Sequence, residues 1–406
     1  MDIAGWQKDI SELAVRVCKK IKSDPSYLSF LLLDILASVI YFPKYLYYLI
    51  SRRKIIAFDW GNGIYGDFYL PLFEKLSRDN SRIVFFFHFW CPKRYNMTVF
   101  GKGLPKIYEN LLDNKVVICA SLSKYKKLPR TIRIQMFHGF GSFGSIKQRV
   151  PLERFDVLFL ASKFQWHQLK EQYKKIAEGK KILCIGYPKI DKYISVEKRR
   201  RSLASGNITL FYGPTYHREI SSIFEFLPAL VEMCRKNNYK LIIKLHPLLC
   251  HKRDYDKSGG INWPREVIKY KKTYSNITLY RINKHDLDDC FRMTDVFLTD
   301  VSGIGFEFVL ATAKPIVFLG EKLKIPLEDL HKGNIERYKN YAEVYYRTRI
   351  GPTVTEPSEL EEAVKKVIEQ NGYESEIEEF RKEFVFNLGT STDVAVSEIK
   401  QIYEEL

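Results

Sequence analysis

Thr294-Asp-Val-Phe-Leu-Thr-Asp-Val-Ser-Gly-Ile-Gly-Phe-Glu-Phe-Val309, followed by Lys314-Pro-Ile-Val-Phe318, packs four kinds of local signal into a short span. Val296 to Thr299 reads as a buried strand. Asp300, Ser302, Gly303 and Gly305 form a tight polar turn, an apolar helix follows, and Lys314-Pro315 leads into a second buried strand. Ser302 and several backbone N–H groups then stand at a helix N-terminus beside the carboxyl end of a parallel strand. Such a turn suits a phosphate or a sugar hydroxyl, because the helix dipole and the orphan N–H groups point the same way. Glu307, near the start of the helix, is placed to reach a ribose diol. A plain strand–turn–helix connection of any α/β protein fits this one segment equally well.

Other strand ends add to it. Leu241-Ile-Ile-Lys-Leu-His-Pro247 is an apolar strand ending in Lys244 and His246, where open α/β sheets bind ligands. Ile208 begins a strand that breaks at Gly213-Pro214, leaving Thr215 and Arg218 in the loop before a helix. The strand Ile132 to Phe137 ends in His138-Gly139 and a loop of mostly small residues reaching Lys147. Gly186-Tyr187-Pro188-x-x-Asp191 follows the strand Ile182 to Ile185.

The order and spacing of His138-Gly139, Gly186-x-Pro188-x-x-Asp191, Pro214-Thr215-x-x-Arg218, Lys244-x-His246-Pro247 and Thr299-Asp300-x-Ser302 with Lys314-Pro315 resemble the CDP-glycerol glycerophosphotransferases. That family includes the teichoic acid primases and polymerases, and the resemblance covers roughly residues 54 to 400. Lys147 lies nine residues after His138, a longer loop than the family pattern leads one to expect, so the acceptor or the alditol is expected to differ from those of the best-known members.

Formal net charge is +17, from 65 Lys and Arg against 48 Asp and Glu, which favours polyanionic partners. Basic clusters fall at Lys19 to Lys22, Arg52 to Lys54, Lys124 to Lys127 and Lys198 to Arg201, the last resembling an interdomain connector. The aromatics lie mostly in apolar strands and in the N-terminal region, not interleaved on a basic face as a single-strand nucleic-acid platform requires, so no nucleic-acid partner is expected. Seven scattered cysteines without C-x-x-C spacing suit a reducing compartment and suggest no zinc site.

Tyr27 to Phe42 is strongly apolar but carries Asp34; Pro43-Lys44 interrupts it and Tyr45 to Ile50 resumes. The run is short for a membrane span, and both flanks are basic. The expectation is a helical hairpin lying in an anionic membrane surface, on its cytoplasmic face. A buried amphipathic helix and a spanning helix are the alternatives.

Strands alternate with helical stretches along the rest, which argues for parallel sheets. Lys54 to Phe58, Arg82 to Phe89, Val116 to Ala120, Ile132 to Phe137, Val157 to Leu160 and Ile182 to Ile185 form a first series. Strands beginning near Ile208, Leu241, Ile277, Val296 and Ile316 form a second. Glycines 61, 63 and 66 match G-x-G-x-x-G, but no acidic residue downstream marks a dinucleotide ribose. The loop after Asp59 is therefore read as a close backbone approach to an acceptor.

The expected organisation is a membrane-associating segment over 1–53, a Rossmann-like acceptor domain over 54–200, a Rossmann-like nucleotide-donor domain over 201–385 and a C-terminal helix over 386–406. The fold class is α/β of the GT-B type, two domains facing a cleft.

The resemblance implies transfer of glycerol phosphate, or another alditol phosphate, from CDP-glycerol or CDP-ribitol to a hydroxyl of a lipid-linked saccharide or polymer, with CMP leaving and no cofactor. His138 is then the candidate base and His246 a second catalytic imidazole. Thr215, Arg218, Lys244, Thr299, Asp300, Ser302, Gly303 and Glu307 are candidate donor contacts; Asp59, Gly139 and Lys147 are candidate acceptor contacts. Phosphoryl transfer needs in-line positioning and charge neutralisation, which Arg218, Lys244 and His246 could supply without a metal. A GT-B glycosyltransferase or UDP-sugar 2-epimerase is the enzymatic alternative, and a basic RNA- or polymer-binding protein the non-enzymatic one.

Overall fold

A computed structural model of the chain describes residues 39, 42–43, 46–47, 50, 54–61, 66–78, 83–88, 103–105, 115–119, 129–137, 139–140, 152–194, 208–216, 218, 220–250, 259–280, 287–320, 342, 346–370 and 372–406. They build two parallel sheets. The first has β1 (Ile55–Gly61), β2 (Ile83–His88), β3 (Gly103–Pro105), β4 (Lys115–Cys119), β5 (Thr131–Met136), β6 (Val157–Leu160) and β7 (Lys181–Cys184), in the order β3-β2-β1-β4-β5-β6-β7. The second has β8 (Thr209–Tyr212), β9 (Lys240–Ile243), β10 (Ile277–Leu279), β11 (Val296–Thr299), β12 (Ile316–Leu319) and β13 (Thr353–Val354), in the order β10-β9-β8-β11-β12-β13. The runs β4, β8, β11 and β12 are buried at every residue, as expected of parallel strands covered on both faces.

Each sheet starts at its centre, winds outward on one side, then returns to the other. The winding reverses between β1 and β4 in the first sheet and between β8 and β11 in the second. Ligands of open α/β sheets bind outside the carboxyl ends of the strands at such reversals. In the second sheet that edge carries Gly213 to Thr215 on one strand and Asp300 to Gly303 on the other.

Helices join the strands: α1 (Gly66–Ser77), α2 (Lys163–Gln172), α3 (Ile223–Asn237), α4 (Trp263–Thr273), α5 (Leu287–Met293), α6 (Gly303–Thr312), α7 (Leu360–Glu369), α8 (Glu374–Phe384) and α9 (Ser391–Glu405). Asn238 ends α3 in the left-handed conformation, at φ 56°, a usual helix stop. From Gly305 to Thr312 every residue of α6 is buried, so this helix has no solvent face, as its unbroken apolar sequence demands. It lies tight on the sheet: a Cβ at Gly305 would meet Thr299 Cγ2 at 2.8 Å and Ile316 Cδ1 at 2.9 Å.

Close packing divides the chain into two compact units. One comprises residues 1–138, 150–158 and 396–406; the other comprises 139–149 and 159–395. The boundary passes through β6, so β7 and the Gly186 motif group with the second sheet. The reason lies in the segment after α8. Phe386 N–H donates to Ala161 O at 3.2 Å, and Asn387 Nδ2 donates to Cys184 O at 2.9 Å. Asp191 accepts from the Thr392 N–H. Around this joint, Phe140, Tyr187, Phe306, Tyr346, Phe380 and Phe384 form an aromatic cluster, with the Phe380 and Phe384 rings stacked 4.6 Å apart.

Gly186 sits at φ +91°, and a Cβ there would collide with Phe386 O and Ser391 Oγ. Gly186→Ala is expected to destabilise the protein by about 2–4 kcal/mol, read by urea unfolding, because strain and overlap add. Wild-type stability in that variant would show that the joint gives way easily.

Lys314 is also structural. Its buried Nζ donates to the carbonyls of Phe291, Arg292 and Thr294 at 3.3, 2.8 and 2.7 Å, satisfying the C-terminal end of α5. In the N-terminal region the described residues Val39, Phe42, Pro43, Leu46, Tyr47 and Ile50 are helical and exposed. The remainder of the expected hairpin lies outside the described residues. Among the described residues no helix is long and apolar enough to cross a membrane.

Candidate functional site

The centre of the second-sheet edge is Asp300, the first residue after β11. Its side chain is 2% exposed and takes four donors. Thr215 N–H and Val301 N–H donate to Oδ1 at 2.9 and 2.7 Å, and Ser222 N–H and Oγ to Oδ2 at 2.8 and 3.0 Å. Burial pushes this carboxyl above its ordinary range, and the four donors oppose that. Two oxygens offer about four acceptor positions, so none is left for a ligand. Asp300, expected from the sequence as a donor contact, ties the β8 loop and the start of α3 to the β11 turn. Thr299 works alike, its Oγ1 donating to Gly213 O at 2.8 Å. Thr215 is nearly buried and held at both its N–H and its carbonyl, the latter accepting from Ser221 Oγ at 2.8 Å.

What this scaffold presents is the start of α6. Ser302 is its N-cap residue, yet its side chain makes no capping bond and is partly exposed. The Gly303 N–H and the Ser302 hydroxyl thus stand at the positive end of a ten-residue helix. Glu307, one turn in, is held otherwise than the sequence led one to expect. Lys189 Nζ donates to both its oxygens at 2.9 and 2.8 Å, and Tyr187 OH to Oε1 at 3.1 Å. This buried ion pair fastens α6 to the short helix Pro188–Asp191.

Next to β8, the end of β9 supplies Lys244 and His246. Lys244 Nζ lies 5.8 Å from the Tyr280 ring centre, and its N–H donates to Tyr212 O at 2.9 Å. The His246 ring packs 4.7 Å from Tyr216, and its Nδ1 accepts the Leu248 N–H at 3.2 Å, capping the turn Pro247–Leu249. With Nδ1 occupied as an acceptor, the proton of the neutral imidazole sits on Nε2. Burial first, and then the Lys244 charge, push its pKa down from near 6.5 to about 4. His246 is therefore a neutral imidazole at neutral pH that presents its Nε2–H as a donor.

Between about 6.5 and about 4 the unfolded imidazole binds the proton more readily than the folded one. Stability is fully present above that window and falls as pH drops through it, by roughly 3 kcal/mol at most. His246→Asn is expected to flatten that fall in unfolding measurements across this range. An unchanged slope would place the titration elsewhere.

Arg218 is exposed on the loop after β8, its Cδ beside Gly259. In the first sheet, Asp59 is buried at the carboxyl end of β1, in register with Cys119 of β4, at the winding reversal. Gly139 O accepts from Gln165 Nε2 at 3.1 Å. His138 and Lys147 lie outside the described residues. Among the described residues no group of three or more His, Cys, Asp or Glu is placed to hold a metal ion.

Ser222, Tyr187 and Lys189 escaped the sequence reading. Ser222 could have been found as a helix-start serine before Ile223, and Lys189 occupies an unspecified position of the Gly186 motif. Arg347, 4% exposed, followed no strand end that would have marked it.

Two parallel sheets with polar groups gathered at a winding reversal define a GT-B-like α/β protein. The wall teichoic acid polymerase TagF has this fold: its structure superimposes with a TM-score of 0.60 at 17% identity, over 91% of this chain and 98% of that one. A Staphylococcus aureus MnaA–UDP structure gives a TM-score of 0.56 at 13% identity, over 87% and 98%.

Residues 124–397 match the model of the CDP-glycerol:poly(glycerophosphate) glycerophosphotransferases, and the chain belongs to that family. A teichoic acid glycerol-phosphate primase of Bacillus subtilis is 26% identical over 251 residues, 56% of this chain and 59% of the relative. A teichoic acid poly(glycerol phosphate) polymerase of Staphylococcus epidermidis is 23% identical over 224 residues, 51% of this chain and 28% of the relative. The alignments thus span under two thirds of these curated relatives' lengths.

Proposed function

We propose that the protein transfers glycerol phosphate, or another alditol phosphate, from a CDP-activated donor to a hydroxyl of a lipid-linked saccharide or polymer, in synthesis of a teichoic-acid-like cell-envelope polymer. The observation that carries this is the cation-rich edge of the second sheet, with Lys244, His246 Nε2–H, Arg218 and the uncapped start of α6, in a chain of this family.

The acceptor hydroxyl oxygen attacks the β-phosphorus of the donor. A new P–O bond forms there while the bond from the β-phosphorus to the bridging oxygen breaks, and CMP leaves with that oxygen. The hydroxyl proton passes to His138. Lys244 and Arg218 neutralise phosphate charge, and His246 donates a hydrogen bond from Nε2. Ser302 and Gly303 bind a donor oxygen at the head of α6. Asp300, Thr299 and Glu307 position these groups. Asp59, Gly139 and Lys147 serve the acceptor.

The deciding experiment is a donor screen of CDP-glycerol, CDP-ribitol, UDP-sugars and GDP-sugars, reading nucleotide release with and without a lipid-linked saccharide. CMP release from a CDP-alditol that depends on the acceptor is the expected result. UDP or UMP release from a UDP-sugar, with CDP-alditols inert, would overturn it in favour of a glycosyltransferase or epimerase.

The proposed place of action is the cytoplasmic face of an anionic membrane. In its support, Val39, Phe42, Leu46, Tyr47 and Ile50 recur at helical spacing and are exposed, with Arg52, Arg53 and Lys54 close behind in sequence. Deleting residues 1–50 is expected to abolish sedimentation with anionic vesicles; sedimentation equal to that of the full chain would remove this segment from the membrane role.

A further inference from the structure

Among the described residues of the second-sheet unit, Lys314 and Arg347 are cations only 4% exposed, and the fold accounts for the first alone. Lys314 delivers its charge to three carbonyls. Arg347 is equally buried, at 4% exposed, yet of its five N–H donors one makes a hydrogen bond, Nη2 to Gly320 O at 3.0 Å. Its Nε is buried without a partner, and the guanidinium lies 5.4 Å from the Phe318 ring centre. An arginine so enclosed without a carboxylate on its fork is costly. Asp300 is near enough to act on it electrostatically, but the oxygens of Asp300 are taken by Thr215, Val301 and Ser222.

The place is specific. Phe318 of β12 pairs with Thr299 of β11, and Gly320 follows the carboxyl end of β12 as the turn that opens α6 follows that of β11. Arg347 is thus anchored at the same carboxyl edge as the uncapped Ser302.

We propose that Arg347 is a donor-site residue whose guanidinium binds the diphosphate of a nucleoside diphosphate, together with the N-terminus of α6. This rests on the donor reading above. Burial already pushes its pKa down to about 10, against the pull of Asp300, a strain that an incoming dianion relieves. The planar fork and ring contact suit phosphate in a way an ammonium does not.

The test uses the full chain, wild type and the variants Arg347→Met and Arg347→Lys. Titration calorimetry with CDP and with cytidine is combined with thermal unfolding in the absence of ligand. Arg347→Met should weaken CDP binding by about 10- to 100-fold and leave cytidine unchanged. Arg347→Lys should recover only part of the loss. Without ligand, Arg347→Met should melt at or above the wild-type temperature, because an apolar chain replaces a poorly satisfied charge.

A structural arginine gives the opposite: a lower melting temperature, with CDP affinity kept in the folded protein or lost equally for CDP and cytidine. Either outcome overturns the proposal. If Arg347→Met does not fold, Arg347→Lys decides, and wild-type CDP affinity in that variant overturns it. Wild type that binds UDP and not CDP, still through Arg347, keeps this inference and sinks the CDP-donor reading. Wild type that binds neither diphosphate sinks both.

Discussion

Replacing His138 with alanine is expected to reduce CMP release by about 100- to 10,000-fold while leaving donor affinity nearly unchanged. The residue follows β5 in sequence and precedes Gly139, whose carbonyl is held by Gln165 Nε2. Gln165 is in turn fixed, its Oε1 accepting the Ala161 N–H at 2.9 Å. A proton must leave the acceptor hydroxyl as its oxygen bonds to phosphorus, and an imidazole titrates near the working pH. His246 is no substitute, since its Nδ1 already accepts the Leu248 N–H and its Nε2 carries the proton. The two histidines should therefore separate cleanly. His138→Ala loses turnover at saturating donor, whereas His246→Asn weakens donor binding as well. Single-turnover CMP release beside calorimetry with CDP-glycerol reads both. Near-normal turnover in His138→Ala would remove it from the base role.

The sequence carried the strands well because parallel strands covered on both faces must be continuous apolar runs, and those runs stand out. The strands from Val157, Val296 and Ile316 fall where their runs predict. β3 and β13 were missed for the opposite reason: Gly103–Pro105 and Thr353–Val354 are two or three residues long and have no periodicity to detect. The motifs fall at the ends of strands, but they could not separate residues whose polar atoms the fold fills from those it leaves open. Asp300 and Ser302 are two apart in one turn. One has its oxygens filled by Thr215, Val301 and Ser222, and the other leaves its hydroxyl without a capping bond. That difference depends on Ser222, distant in sequence, and no local pattern encodes it. The Gly186 motif shows the same limit. Its glycine and aspartate serve a joint with Phe386, Ser391 and Thr392, far along the chain.

Asp300→Asn should be the most damaging single substitution at the second-sheet edge, although it changes one oxygen into an amide nitrogen. All four groups that meet the carboxylate donate to it: the N–H of Thr215, Val301 and Ser222, and the Ser222 hydroxyl. An asparagine must turn its NH2 toward one pair. Facing Oδ1's partners, it opposes two backbone N–H groups that cannot rotate. Facing Oδ2's partners, it opposes the Ser222 N–H, while the Ser222 hydroxyl can turn to accept and donate to Tyr212 OH, 2.8 Å away. The second orientation is cheaper and still leaves a buried N–H without an acceptor. Together with the lost charge-assisted bonds, the expected cost is about 2–4 kcal/mol in denaturant unfolding. Ser222→Ala, which removes only the hydroxyl, should cost about 1 kcal/mol. Donor affinity should fall in Asp300→Asn because Thr215 and the head of α6 lose their common tether. Wild-type stability with a selective loss of donor binding would reverse the assignment, making Asp300 a direct donor contact after all.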